Sequence, residues 1–488
     1  MKDLEKGHVI HGEITAHGFT EKSICVGTSL VDMYAKCGSF TEARNVLESL
    51  CVRNVVSWTS LIAGYVEHGY GEEALCCVKE MQREVICLNE FTFVCCLKAC
   101  GLIQDSNKGL GFHGDTLKTG LSDVNAYIGS CLVDMYCKCG SIQEAQQVFQ
   151  KITFRNVVTW TALIVGLLEH GYGDEALYRF KEMKLHGISA NAITYSCGLK
   201  ACRSILALDE EGREIHGEIL KKGFECEMCI GNSLVDLYAK YGYLDEAKVV
   251  FNKLPSTDVV SWTTLISGYV EQGCPDEALF CFEQMQQKGV FGNSITFTFS
   301  LKACNCIARG RRMHIEVIKR GFEDKIVIGS GLVDMYGKCG FLLEAQHVLG
   351  KLTIQDVFPW TALISSCVEL GDIKKALHYS EDMKDAGVSR NVFTLMSILK
   401  CCVNRDSVEI GQGLHAEIIM RGLETDVRVA TSLVHFYGKS GWFSEAKMLC
   451  LKLVNRSVAT WNALIAGYTE HELYEEVLNC VESMHIEG

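Results

Sequence analysis

SWTSLIAGY at residues 57–65 returns as TWTALIVGL at 159–167, SWTTLISGY at 261–269, PWTALISSC at 359–367 and TWNALIAGY at 460–468. The tryptophans inside these strings, Trp58, Trp160, Trp262, Trp360 and Trp461, stand 102, 102, 98 and 101 residues apart. One unit copied along most of the chain predicts a repeat architecture before any side-chain chemistry is considered.

The unit divides into three blocks: 35 residues from Val55 to Asn89, 36 from Glu90 to Asn125, and 31 from Ala126 to Asn156. In the first, Trp58, Leu61, Ile62 and Tyr65 fall at i, i+3, i+4 and i+7, and Ala74, Cys77, Val78 and Met81 repeat the spacing. That period predicts two short amphipathic helices per block. Between them lies Gly69-x-x-x-Glu73-Ala74, which recurs as Gly140/Glu144/Ala145, Gly171/Glu175/Ala176, Gly242/Glu246/Ala247, Gly273/Glu277/Ala278, Gly340/Glu344/Ala345 and Gly441/Glu445/Ala446. The glycine ends the first helix in a left-handed conformation, the glutamate suits the first turn of the second, and the alanine lets the backbones approach. Ser57, Thr159, Ser261 and Thr460 precede their tryptophans and are read as helix caps, with Pro359 in that place in the fourth copy. No β-strand pattern competes, so the expected fold is all-α, a right-handed superhelical α-solenoid of helix-turn-helix repeats.

Composition agrees. A chain that is 48% hydrophobic with three prolines suits stacked helices that bury their faces on their neighbours. Charges interrupt every apolar run, so no segment of about 18–20 residues is apolar enough to span a bilayer, and no membrane partner is expected. The 26 cysteines fall on the repeat: Cys37, Cys139 and Cys339 share one position, and Cys100, Cys202, Cys304 and Cys402 another. They read as small hydrophobes in a reducing compartment. Cys226-x-x-Cys229 follows His216-x-Glu218, which invites a zinc-deaminase reading. His-x-Glu recurs at His11/Glu13, His314/Glu316 and His415/Glu417 with no second Cys-x-x-Cys, and Cys226 lacks the preceding proline. That reading is rejected, and no metal site is expected. There is no phosphate-binding glycine-rich lysine loop and no nucleophile elbow, so no enzyme activity, cofactor or small-molecule substrate is expected.

The period instead singles out polar residues that leave the apolar stripe. Thr59, Thr161, Thr263, Thr361 and Asn462 follow the tryptophans and are expected to line one surface, and Asn89, Asn191, Asn293 and Asn391 close the same blocks. In a purely structural account the threonines support the helix start and the asparagines cap the next helix.

Blocks of 35, 36 and 31 residues carrying VVSWTSLIAGYVEHGYGEEAL (55–75), EFTFVCCLKACG (90–101) and IGSCLVDMYCKCGSIQEAQQVF (128–149) resemble the P-, L- and S-type motifs of the plant pentatricopeptide repeat family, over essentially the whole chain. On that resemblance the chain divides into a partial L at 1–23, then S 24–54, P 55–89, L 90–125, S 126–156, P 157–191, L 192–227, S 228–258, P 259–293, L 294–325, S 326–356, P 357–391, L 392–426, S 427–457 and a truncated P 458–488.

The resemblance implies reading of single-stranded RNA, one base per repeat. The fifth and last residues of each motif select the base, and the second packs against it. Thr28 with Asn54, Thr59 with Asn89, Ser130 with Asn156, Thr161 with Asn191, Thr263 with Asn293 and Thr361 with Asn391 imply adenine. Asn232 with Asp258 implies uracil, and Ser330 with Asp356 guanine. Val94, Ser196 with Glu227, Thr298 with Lys325, Met396, and Thr431 with Ser457 form no standard pair, and Asn462, which has no partner because the chain stops, implies a pyrimidine. The implied ligand is 5′-AANAANUANGANNY-3′, with Val56, Val158, Val260 and Val327 as wedges between bases. Selectivity per base is expected to be at most about 1–3 kcal/mol.

A net charge of −13 opposes nonspecific attraction to a polyanion. Lys36, Lys138, Lys240, Lys338 and Lys439 occupy one place in every S-type motif and are read as phosphate contacts, and Glu67, Glu169, Glu271, Glu369 and Glu470 hold that place in the P-type. Departures from the family pattern are the second-helix ends CLN, SAN, FGN and SRN, expected to loosen the turns, a shortened L-type block at 294–325, expected to be where register slips, and loss of the turn glycine and alanine at Glu472 and Val477.

Members with this rotation resemble specificity factors for C-to-U editing of chloroplast or mitochondrial transcripts. Editing-complex proteins or a separate deaminase are therefore implied partners. No transit segment is read at the start, Met1-Lys2-Asp3-Leu4, and the chain reads as an internal piece of a longer protein or a gene model cut at both ends. The alternative is a tetratricopeptide-like protein-binding scaffold, against which the mixed block lengths and the Thr/Asn pairs speak.

Overall fold

The computed structural model describes residues 4–16, 23–120, 126–205, 211–352, 356–402, 408–453 and 456–487. The rest of the expected partial motif at 1–23, and Asn125, lie outside them. The described residues form α-helices and no strand. They divide into two compact units, Met1–Ser256 and Thr257–Gly488.

Within each unit the helices alternate as first and second members of hairpins. First helices start at Ile24, Val55, Glu90, Ala126, Val157, Ala192 and Met228 in the first unit, and at Val259, Ser294, Ile326, Val357, Val392, Val427 and Val458 in the second. Each packs on its own partner and, inside its unit, on the first helix of the next hairpin. The core is therefore a continuous apolar layer along each unit, with Trp58, Trp160, Trp262 and Trp461 buried in it and Trp360 half-buried. The aligned glycines Gly69, Gly140, Gly171, Gly242, Gly273, Gly340 and Gly441 all adopt φ of 73–84°, and Ala74, Ala145, Ala176, Ala247, Ala278, Ala345 and Ala446 behind them are fully buried. Both features follow from the turn: it reverses the chain in a left-handed residue and brings two backbones together.

Glu472 occupies the glycine place of the last hairpin and still adopts φ 61°. A side chain there costs about 1–2 kcal/mol, partly offset by the entropy glycine would lose. Glu472→Gly should stabilise the last hairpin by about 0.5–1 kcal/mol, read as slower amide hydrogen exchange over 458–487. Unchanged or faster exchange contradicts this.

Histidines on the second helices tie hairpins together. His113, His216, His314 and His415 sit on second helices, with Nδ1 2.9, 2.7, 2.9 and 2.8 Å from the hydroxyls of Tyr136, Tyr238, Tyr336 and Tyr437 on the next first helix. Tyr34 has both His8 and His11 as partners. Burial pushes His216, His314 and His415 below the ordinary histidine value. The unfolded chain then binds more protons near its pKa of about 6.5, so stability is complete above that pH and is lost as pH falls toward the folded values. The thermal midpoint should drop between pH 7.5 and 5.5, and less so in His314→Gln. A midpoint flat across that window contradicts the assignment.

Candidate nucleic-acid interface

The site begins at the helix caps. Asn293 ends one hairpin in extended backbone, and its Oδ1 accepts from Thr296 N at 2.9 Å at the start of the next. The Thr296 hydroxyl lies 3.0 Å from the same oxygen. It also lies 2.6 Å from the hydroxyl of Thr263, which donates to Val259 O at 2.6 Å. The fifth residue of one hairpin and its closing asparagine thus meet through the third residue of the hairpin that follows.

The same bridge recurs as Thr59–Thr92–Asn89, Ser130–Thr159–Asn156 and Thr161–Thr194–Asn191 in the first unit, and as Thr361–Thr394–Asn391 and Thr431–Thr460–Ser457 in the second. A backbone N–H can only donate, so the atom facing it must be the amide oxygen. That leaves Nδ2 of each asparagine turned away from the cap.

The structure departs from the sequence expectation in three respects. Ser57, Thr159, Ser261 and Thr460 do not cap their helices: they lie at the third helical position, and the caps are Asn54, Asn156, Asp258 and Ser457. The threonines read as facing away from the core are buried, as Thr161 and Thr263 (each 9% exposed), or half-buried, as Thr59 and Thr361. The surface a first helix turns from its own partner is covered by the neighbouring first helix. The S-type lysines are not free: Lys36, Lys138 and Lys338 bond to Asp32, Asp134 and Asp334 one turn earlier at 2.7, 2.8 and 2.6 Å, and Lys439 pairs with Glu470 at 2.9 Å.

The fork is incomplete at four positions. Thr28 Oγ1 and Asn232 Oδ1 are buried without a partner among the described residues. Ser57, which would bridge from Thr28, turns its hydroxyl into a capping box with Asn54. Among the described residues Ser330 bonds only to Ile326 O at 2.7 Å: Pro359 at the third position has no hydroxyl, and Asp356 caps Val357 N directly at 2.6 Å. Asn462 is exposed. At 294–325 the shortening falls at the end of the first helix, Ser294–Ala303, while the Asn293 cap that sets the register of Thr298 is intact.

Val56, Val158, Val260 and Val327 are exposed, as a wedge requires. Sequence reasoning missed that Phe91, Tyr127, Ile193, Ile295, Phe358 and Phe393 stand exposed at the same second position. It also missed the bridging hydroxyls. The signal for both was present: a closing Asn or Asp is followed two residues on by an apolar side chain and three on by Thr or Ser, as in NEFT, NVVT, NAIT and NSIT.

Burial pushes the recurring thiols of Cys100, Cys202 and Cys402 up to about 12. All are free. Among the described residues no group of histidine, cysteine and carboxylate side chains is arranged to hold a metal, and no helix is long and apolar enough to cross a membrane.

Comparison with known proteins gives matches to the PPR repeat family over 53–101, 155–204 and 257–306, to the pentatricopeptide repeat domain over 353–405, and to single PPR repeats over 28–55, 130–157, 232–258, 429–458 and 459–488. A chloroplastic pentatricopeptide repeat-containing protein of Arabidopsis thaliana is 32% identical over 96% of this chain and 76% of its own length. A mitochondrial one from the same plant is 28% identical over 100% of this chain and 56% of its own length. A further Arabidopsis relative, 33% identical, is spanned over 47% of its length. The crystal structure of the maize pentatricopeptide repeat protein PPR10 is similar at a TM-score of 0.56 with 18% identity, over 99% of this chain and 76% of that one, a likeness of fold.

Proposed function

The chain belongs to the pentatricopeptide repeat family, and on that premise we propose that it is an adaptor that reads single-stranded RNA one base per hairpin. The observation that carries the reading is the hydrogen-bonding capacity left on each fork. The fifth-residue hydroxyl makes its bonds inside the protein and keeps a lone pair. The closing asparagine commits its oxygen to the cap and keeps its N–H₂. One acceptor beside one donor complements the Watson–Crick edge of adenine, which offers a donor at N6 and an acceptor at N1. An aspartate in the last place keeps an oxygen instead and complements the N–H groups of guanine. The exposed second residue supplies an apolar face for the base.

On this reading the fourteen motifs from residue 24 onward, in S, P, L rotation, read 5′-AANAANUANGANNY-3′. The forks are Thr28/Asn54, Thr59/Asn89, Ser130/Asn156, Thr161/Asn191, Asn232/Asp258, Thr263/Asn293, Ser330/Asp356 and Thr361/Asn391, with Thr431 and Asn462 in the last two motifs. The rotation supports a role as a specificity factor for C-to-U editing, with catalysis supplied by a deaminase outside these residues. The chloroplastic and mitochondrial relatives support an organellar address.

The test is fluorescence anisotropy with labelled RNA of that sequence against a base-scrambled strand. Matched RNA should bind at least tenfold tighter, about 1.4 kcal/mol. Equal binding of the two strands contradicts sequence reading, and no binding of either contradicts RNA binding altogether.

A further inference from the structure

In the L-type hairpins the fifth position offers little to a base. Val94 and Met396 carry no hydrogen-bonding group, and Ser196 and Thr298 belong to blocks that close on Glu227 and Lys325 instead of asparagine or aspartate. One turn further along each of these helices stands a lysine: Lys98, Lys200, Lys302 and Lys400. Residues four apart share a helix face, so each lysine follows the fifth position on the same side of its first helix.

All four lysines are exposed, and none closes an ion pair or hydrogen bond through its ammonium among the described residues. That sets them apart from the other basic residues of the first helices. The S-type lysines Lys36, Lys138, Lys338 and Lys439 are bonded as above, Arg203 is held by Asp236 at 2.9 Å, and Arg428 by Asp426 at 2.9 Å. The aspartates of the following hairpins are paired elsewhere, Asp236 with Arg203 and Asp334 with Lys338. Asp134, on the hairpin after Lys98, is taken by Lys138, and the hairpin after Lys400 carries His435 where the other S-type motifs have aspartate. In a chain of net charge −13, an unpaired cation repeated at one place on the first helices, beside the second-position side chains, two in each unit, suits a polyanionic backbone.

We propose that Lys98, Lys200, Lys302 and Lys400 hold RNA phosphates, and that the L-type hairpins grip the backbone instead of reading a base. This rests on the RNA-binding reading above. The S-type lysines, the phosphate contacts expected from sequence, are structural ion pairs on this view.

The test compares the full chain with two four-site variants, Lys98→Gln/Lys200→Gln/Lys302→Gln/Lys400→Gln and Lys36→Gln/Lys138→Gln/Lys338→Gln/Lys439→Gln. The probe is labelled AANAANUANGANNY RNA titrated across a salt series, with circular dichroism to verify helix content. Each lost phosphate contact should reduce the slope of log affinity on log salt by about 0.7 for a single strand, so the L-type variant should be shallower by about 3. Between about 50 and 200 mM salt it should lose about 50-fold less affinity than the parent. Matched and scrambled strands should weaken alike, because phosphate contacts carry no sequence information. An L-type variant with the parent's slope, or an equal change in the S-type variant, overturns the proposal and leaves RNA binding standing. A parent chain that binds neither strand overturns both.

Discussion

Arg390→Ala is expected to destabilise the second unit by about 3 kcal/mol, the largest effect foreseen for a single change outside the forks. Arg390 is 8% exposed. Its guanidinium donates to Glu381 Oε1 at 2.8 Å, Glu417 Oε2 at 2.9 Å, Ser380 Oγ at 2.9 Å and Ser380 O at 3.1 Å. Arg421 closes the arrangement by bonding Arg390 O and Glu417. Removing the guanidinium leaves a largely buried carboxylate with one cation in place of two and strands the serine carbonyl. The cost therefore falls at the low end of the range for broken buried pairs. The equivalent residue of an earlier P-type block is the buried Ala190, and there the aligned glutamate, Glu218, is bonded by Lys184 and Tyr195 instead. Arg390→Ala combined with Glu417→Gln should accordingly recover more than half the loss. Urea unfolding of the full chain, with hydrogen exchange over 357–420, measures both, and a single-variant loss under about 0.5 kcal/mol contradicts the assignment.

This arginine also shows where sequence reading stopped. SRN is one of the second-helix endings expected to loosen the turn, and nothing in that string says that Glu381 and Glu417 converge on it. What one helix dictates by itself was legible: the tryptophan period, the glycine that turns left-handed at Gly69 and its equivalents, and the buried alanine behind it. What depends on the neighbouring hairpin was not. Thr161 and Thr263 lie off the stripe of their own helix, yet the next first helix buries them. The lysines were misread for a simpler reason. Asp32 and Lys36, like Asp134 and Lys138, are four residues apart, the spacing at which a helix closes its own ion pairs. The lysine in CLKAC, GLKAC, SLKAC and ILKCC was passed over because it follows no base-reading residue.

The second large effect concerns the fork itself, where a cap and a reading group share one side chain. Asn293→Asp should leave stability nearly unchanged, since Asp258 already caps Ser261 N in the same way at 2.9 Å, and aspartate ranks with asparagine at this position. Its free oxygen replaces an N–H₂, so the preferred base opposite this hairpin should move from adenine to guanine by about 1–3 kcal/mol. Asn293→Ala, in contrast, loses the cap at a cost of about 1 kcal/mol and loses base preference with it. Thr263→Asn with Asn293→Asp should move the preference to uracil.

The measurement that bears most directly on the account is therefore the affinity of the parent and Asn293→Asp for four RNAs that differ only at the base facing the Thr263/Asn293 fork. The parent should prefer adenine, the variant should prefer guanine by about tenfold, and preferences at every other position should be unmoved. A variant that folds as stably as the parent yet keeps the adenine preference, or shows none, would mean that Asn293 is a helix cap and nothing more.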